Sequence, residues 1–153
     1  MSISINTRHI LLADDDKDDS ILFQEILEEL PLSTHLTKVS NGEQLMQFLN
    51  ETKDQLPDVL FLDLNMPRKN GYDCLSEIKG SEKLKSLSVI IFSTAFEPQV
   101  ISLLYEKGAQ YYIRKPNNYW QLKNLIHQAL ILTETTNIDY PLQEKFVLSS
   151  QFV

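Results

Sequence analysis

The sequence predicts an α/β fold, a doubly wound parallel sheet of five strands with five helices. Two observations carry this. Short apolar runs alternate with helix-period patterns five times along the chain, and such alternation builds parallel sheets through right-handed crossovers. The apolar runs also stop on polar residues, most sharply where Leu60, Phe61 and Leu62 meet Asp63. Open α/β folds place their chemistry at that end of the strands.

Ile10, Leu11, Leu12 and Ala13 form a first strand that runs straight into Asp14, Asp15 and Asp16. From residue 20 to 30, Phe23, Ile26, Leu27 and Leu30 fall at i, i+3, i+4, i+7, one face of a helix that Pro31 ends. Residues 36–39 read as a second, weaker strand. Asn41 and Gly42 break the chain, and Leu45, Met46, Phe48 and Leu49 predict a short second helix. Residues 58–62 follow Pro57 as the third strand; an unbroken apolar run predicts burial on both faces. A loop with Pro67, Asn70 and Gly71 leads to a helix carrying Leu75 and Ile78, which Gly80 stops.

Residues 87–92, dominated by Val89, Ile90 and Ile91, form the fourth strand. Pro98 suits a first helical position. Its helix runs through Val100, Leu103 and Leu104 to Lys107 and Gly108. Residues 110–114 are the fifth strand, and Lys115, Pro116, Asn117 and Asn118 turn the chain. The last helix spans 120–132 with Leu122, Leu125, Ile126, Ala129 and Leu130 inward. Residues 1–137 make one domain, with its core at 8–133 and a linker at 133–137. Residues 138–153 are a tail too short for a core of its own.

The bulk composition narrows the function. Apolar residues at 42% and charged residues at 23% describe a soluble globular chain. A net charge of −7 argues against a nucleic-acid face, which needs clustered Lys and Arg. Residues 14–29 hold eight carboxylates opposed only by Lys17. The single cysteine, Cys74, excludes an internal disulfide and reads as helix packing in a reducing compartment. No apolar run approaches the ~18–20 residues of a membrane span. The N-terminus lacks a secretory h-region, so a cytoplasmic location is expected. His9, His35 and His127 form no visible cluster.

Four strand ends carry polar groups: Asp14 and Asp15, Asp63, Ser93 and Thr94, and Lys115. In the strand order 2-1-3-4-5 the first, third and fourth strands are neighbours, and the three carboxylates share the crevice at the switch point. Such carboxylates repel one another unless a cation or protons relieve them. With no Cys or His nearby, the all-oxygen set favours a hard cation, and Mg²⁺ fits. A carboxylate can act as a nucleophile and form an aspartyl-phosphate. Phosphoryl transfer then needs charge neutralisation and positioning, to which the Lys115 ammonium and Thr94 hydroxyl are suited.

At these positions the sequence resembles the response-regulator receiver domain of two-component signalling, over about residues 8–133. The likeness rests on Leu11 to Asp16, on Leu62 to Pro67 with Asn70 and Gly71, on Ser93, Thr94 and Ala95, on Gly108 and Ala109, and on Tyr112 to Pro116. It implies a flavodoxin-like sheet and a role for each matching residue. Asp63 is the implied phospho-acceptor. Asp15 and Asp63 are implied direct Mg²⁺ ligands, with Asp14 acting through water and Asn65 giving its backbone carbonyl. Thr94 and Lys115 would hold the phosphoryl group. Tyr112 matches an aromatic switch that turns inward as Thr94 moves. The Lys115–Pro116 peptide bond matches one that is usually cis in the family.

The implied function is a stand-alone response regulator that catalyses only its own phosphorylation and dephosphorylation. A histidine kinase or histidine phosphotransfer protein supplies the phosphoryl group, and a downstream protein target reads the result. The expected output surface is the fourth helix, fifth strand and fifth helix. Self-association as a homodimer through that face or the tail, whose best contact is Phe146, Val147 and Leu148, and onward transfer of the phosphoryl group in a relay are the alternative outputs. No nucleic-acid or membrane partner is expected. Phe96, two residues past Thr94, is expected to shield the phosphoryl group.

The alternative is an Mg-dependent phosphatase of the haloacid dehalogenase type. That family needs an acid/base Asp two residues after the nucleophile, where this chain has Asn65. A flavin carrier of the same fold needs a hydroxyl-rich phosphate loop after the first strand, where five aspartates stand. Asp16, Asp18 and Asp19 read as helix-capping charge. Trp120 reads as packing or a partner contact.

Overall fold

The computed structural model describes residues 7–134 and 140–149. The elements are β1 (Arg8–Ala13), α1 (Lys17–Glu29), β2 (Thr34–Val39), α2 (Gly42–Glu51), β3 (Val59–Leu62), α3 (Gly71–Lys79), β4 (Ser88–Ser93), α4 (Pro98–Glu106), β5 (Tyr111–Arg114) and α5 (Tyr119–Leu132), followed by a 3-10 turn over Gln143–Lys145. The sheet order is β2-β1-β3-β4-β5 with every pair parallel. This is the doubly wound, flavodoxin-like arrangement that the alternation predicts. β1 and β2 start two residues before their apolar runs, because Arg8 and His9 pair with Thr34 and His35 through backbone groups.

All four residues of β3 and all six of β4 are buried. Alternate residues feed two cores. Val59, Phe61, Ile90 and Phe92 pack with Phe23 and Ile26 of α1 and Leu125 and Ile126 of α5. The rings of Phe23, Phe61 and Phe92 meet edge to face at 4.9, 5.6 and 6.2 Å, the geometry that aromatic quadrupoles favour. Leu60, Leu62, Val89 and Ile91 face the opposite core with Leu45, Leu75 and Leu104 from α2, α3 and α4.

The helices begin on side-chain caps. Asp16, Asn41, Asn70 and Asn118 each accept a hydrogen bond from the backbone N–H three residues on, a contact that contributes about 1 kcal/mol. Asn41 therefore starts α2 as well as ending β2. α4 differs. Glu97 supplies no side-chain cap, and Leu104 is the helix's one buried residue. Leu103 is 40% exposed, because the stripe of α4 that packs against the core runs through Val100, Ile101, Leu104 and Tyr105 and Leu103 lies off it.

The C-terminal segment 140–149 returns to the sheet. Tyr112 N–H donates to Phe146 O at 3.0 Å, and Leu148 N–H donates to Tyr112 O at 2.9 Å. This makes a parallel bridge between Tyr112 and Val147 on the outer edge of β5. Phe146 is wholly buried and Leu148 nearly so. The contact expected of these tail residues is thus made within the chain. Residues 135–137 of the expected linker, and 138, 139 and 150–153 of the expected tail, lie outside the described residues. Among the described residues no helix is long and apolar enough to cross a membrane.

Candidate functional site

The sheet ladder continues one residue past three strands and aligns the site. Asp14 N–H donates to Val39 O at 3.1 Å, Asp63 N–H to Ala13 O at 2.9 Å, and Lys115 N–H to Ser93 O at 2.8 Å. Asp14 and Asp63 are buried, and Asp15 is exposed. One carboxylate oxygen from each of Asp14, Asp15 and Asp63 lies within 4.8 Å of the others. This convergence of oxygen donors fits a hard divalent cation.

The backbone N–H groups of Leu64 and Asn65 favour the charged form of the Asp63 carboxylate. Burial nonetheless pushes its pKa up to about 7; Lys115 opposes the shift, and Asp14 adds repulsion. The Lys115 ammonium lies 2.7 Å from Asp14 Oδ2, 2.9 Å from Asp19 Oδ2 and 3.9 Å from Asp63 Oδ2. It also sits 4.8 Å from the centre of the Phe92 ring. Burial alone would lower its pKa, but the hydrogen bonds to Asp14 and Asp19 hold it above the ordinary lysine value.

Asp19 is the residue that sequence reasoning missed. Read as helix-capping charge, it is an ion-pair partner of Lys115. Asp16 does cap α1, accepting from Asp19 N–H at 3.1 Å. No local pattern marks Asp19 apart from its neighbours, since its partner lies 96 residues away.

The loop after Asp63 is tightly folded. Gly71 N–H donates to Leu64 O at 2.9 Å, and Lys69 N–H to Pro67 O at 2.7 Å. Arg68 takes a left-handed conformation at φ 69°. A Cβ at Gly71 would stand 2.0 Å from the Asp63 carbonyl oxygen, so only glycine allows this approach. The loop leaves Asn65 exposed beside the carboxylates.

Thr94 is exposed just beyond β4. Ser93 before it is buried, and its Oγ accepts from Ala95 N–H at 3.1 Å. Tyr112 is wholly buried, its hydroxyl donating to Ala95 O in the loop that carries Thr94. The Lys115–Pro116 bond is trans, contrary to the cis bond the resemblance implies. Trans is the form an X-Pro bond prefers by about 0.5–1 kcal/mol.

Residues 10–127 match the family described as response regulator receiver domain. The response regulator Rcp1 of Synechocystis sp. is 31% identical over 121 residues, covering 76% of this chain and 82% of Rcp1. The two-component response regulator ORR1 of Oryza sativa subsp. japonica is 36% identical over 112 residues, covering 70% of this chain but 48% of that protein. Among solved structures, the phosphorylated cyanobacterial phytochrome response regulator RcpA superposes with a TM-score of 0.78 at 29% identity, covering 86% of this chain and 97% of that one. The Mn²⁺-bound form of Rcp1 superposes with a TM-score of 0.74 at 29% identity, covering 88% and 99%. With its family match, its sheet order and its crevice of carboxylates, this chain belongs to the response regulator receiver domain family.

Proposed function

We propose that the chain is a phospho-switch that accepts a phosphoryl group on Asp63 from a phosphohistidine of a histidine kinase or histidine phosphotransfer protein. The observation that carries this is the convergence of Asp14, Asp15 and Asp63 with Lys115 at the C-terminal ends of β1, β3 and β5. A carboxylate oxygen of Asp63 forms the new bond to phosphorus. The phosphorus–nitrogen bond breaks, and its electron pair leaves with the donor imidazole. Lys115 sits 3.9 Å from Asp63 and balances charge on the phosphoryl oxygens. The Thr94 hydroxyl donates to one of them.

Asp14, Asp15, Asp63 and the backbone carbonyl of Asn65 would hold Mg²⁺. Bound there, Mg²⁺ would neutralise charge on the transferring group. The same donor set accepts Mn²⁺, the ion bound in the Rcp1 structure. Asn65 lacks the acid/base group that the haloacid dehalogenase reaction needs, which favours a persisting phosphoryl group over rapid turnover. Residues 1–137 act as the receiver unit and 138–153 as an appended segment. Thr94 and Tyr112 carry the change to the α4–β5–α5 face, where a downstream protein binds.

The test is direct. Protein incubated with Mg²⁺ and acetyl phosphate gains one acid-labile phosphoryl group, and Asp63→Asn gains none. Equal labelling of the variant would place the nucleophile elsewhere.

A further inference from the structure

Two histidines that stand far apart in the sequence are brought together by the sheet. His9 of β1 and His35 of β2 are register partners in a parallel pair. Register partners on neighbouring strands, about 4.8 Å apart, send their side chains to the same face. The two rings meet there, with centres 5.0 Å apart and planes tilted by 48°. The face is the one covered by α2, whose Phe48 ring meets His9 edge to face at 6.2 Å. Asp14 follows five residues after His9. At about 3.3 Å per residue that is about 16 Å along the strand, so the pair is remote from the carboxylate crevice.

His9 is held at both ends. Its backbone N–H donates to Asp58 Oδ2 at 2.7 Å. Its Nε2 lies 2.8 Å from Oγ1 of Thr37, two residues beyond His35 on the same strand. With Nε2–H donating to that hydroxyl, the lone pair stands on Nδ1. Metal-bound histidines are fixed in the same way, by an outer partner on the second nitrogen. His35 is exposed, and its ring has no hydrogen-bond partner among the described residues. The ring spacing also suits a shared ion. An imidazole bound at the ~2.0–2.1 Å of a Zn–N bond has its ring centre about 3.2 Å from the ion, and two such rings at the tetrahedral angle have centres about 5 Å apart.

We propose that His9 and His35 form a two-imidazole site for a divalent transition ion, Zn²⁺ or its neighbours Ni²⁺ and Cu²⁺, with Thr37 positioning the His9 ring. Among the described residues no third imidazole, thiolate or carboxylate converges with the pair, so water completes the coordination. Ligand chemistry separates this site from the other one. Imidazole nitrogen suits Zn²⁺, Ni²⁺ and Cu²⁺, whereas carboxylate and carbonyl oxygen suit Mg²⁺ and Mn²⁺. The chain therefore takes two ions of different class, one towards each end of β1. This site does not depend on the reading of Asp63 as a phospho-acceptor.

The test is titration of the full-length chain with Zn²⁺ at about pH 7.5, above the ordinary histidine value of about 6.5, with Mg²⁺ in excess to occupy the carboxylates. The parent is expected to take up one Zn²⁺ per chain. His9→Gln and His35→Gln should each weaken uptake at least about tenfold, and Thr37→Val, which keeps both ligands, by about 10- to 100-fold. His127→Gln should bind like the parent, and circular dichroism checks that all four variants fold. Cu²⁺ gives a second readout that needs no variant: its electron paramagnetic resonance spectrum on the parent should show two nitrogen ligands. Four results would overturn the proposal: no Zn²⁺ uptake by the parent, uptake unchanged in both His9→Gln and His35→Gln, a Cu²⁺ spectrum without two nitrogens, or one ion per two chains, which would make the site intermolecular. None of these measurements involves phosphorylation, so their failure and a failure to label Asp63 are separate results.

Discussion

Lys115 Nζ lies 2.7 Å from Asp14 Oδ2, against 3.9 Å from Asp63 Oδ2. The ammonium therefore serves first as the counter-charge of Asp14, whose side chain has no exposed surface. Asp19, bonded at 2.9 Å from the first turn of α1, shares it. The same lysine thus holds the fold at the mouth of the sheet and stands within reach of the proposed phosphoryl group.

Removing that lysine should expose its structural role. Breaking a buried ion pair by deleting one partner costs about 3–5 kcal/mol, because the other charge is left uncompensated. Lys115→Met in chelator is expected to lose stability of that order in urea unfolding. Added Mg²⁺ should stabilise the variant more than the parent, since a cation bound by Asp14, Asp15 and Asp63 replaces the missing charge. Equal increments in the two proteins would contradict this account.

Asp63 sets a pH dependence in the metal-free protein. Its pKa is about 7 in the folded chain, raised by burial from 3.8. The folded state then holds a proton that the unfolded state has released, so stability falls as pH rises from about 4 to 7. Asp63→Asn cannot ionise and escapes this loss. With metal chelated, the variant is expected to exceed the parent by on the order of 2–4 kcal/mol at pH 8. The margin should shrink to nothing near pH 4. Denaturant unfolding across that range measures it, and a margin independent of pH would refute the assignment.

Gly71 couples the loop to the proposed acceptor, Asp63. A methyl group there would overlap the Asp63 carbonyl oxygen, which is backbone and cannot rotate away. Overpacking of this kind costs typically 1–3 kcal/mol, and relief requires Asp63 itself to move. Gly71→Ala is expected to lose about that much stability and to label from acetyl phosphate more slowly than the parent. Gly80→Ala, where the nearest atom is 3.2 Å away, should label like the parent. Equal rates in all three would show that the loop and the acceptor move independently.

The proposed acceptor was legible because an apolar run stops at Asp63, and strand ends in an alternating α/β chain converge by topology. Burial of β3 on both faces was legible in the same run. Asn41 read as a breaker because a cap and a break use the same residue types. Leu103 lies three residues from Val100, but the core-facing stripe of α4 runs through Val100, Ile101, Leu104 and Tyr105, and spacing alone does not choose between two stripes that share Val100. The Asp19–Lys115 pair and the Tyr112–Val147 bridge join distant positions. Their signals are one carboxylate among eight and two backbone bonds that any residue could make. The isomer at Lys115–Pro116 turns on a preference too small for sequence to rank.

The expectation that Phe96 shields the proposed phosphoryl group concerns a different quantity, its lifetime. Phe96 lies two residues past Thr94 and is 44% exposed, and the Arg114 guanidinium sits 4.9 Å from its ring centre. A cation over an exposed ring contributes about 0.5–1 kcal/mol, enough to bias the ring towards one position. Held there, the ring would limit water's approach from the Thr94 side. Phe96→Ala is expected to speed loss of the label several-fold, each tenfold corresponding to about 1.4 kcal/mol of barrier. Arg114→Ala, which frees the ring without removing it, should give a smaller acceleration. Decay is followed after removing acetyl phosphate with Mg²⁺ in excess. Identical decay in the parent and both variants would sink the shielding role.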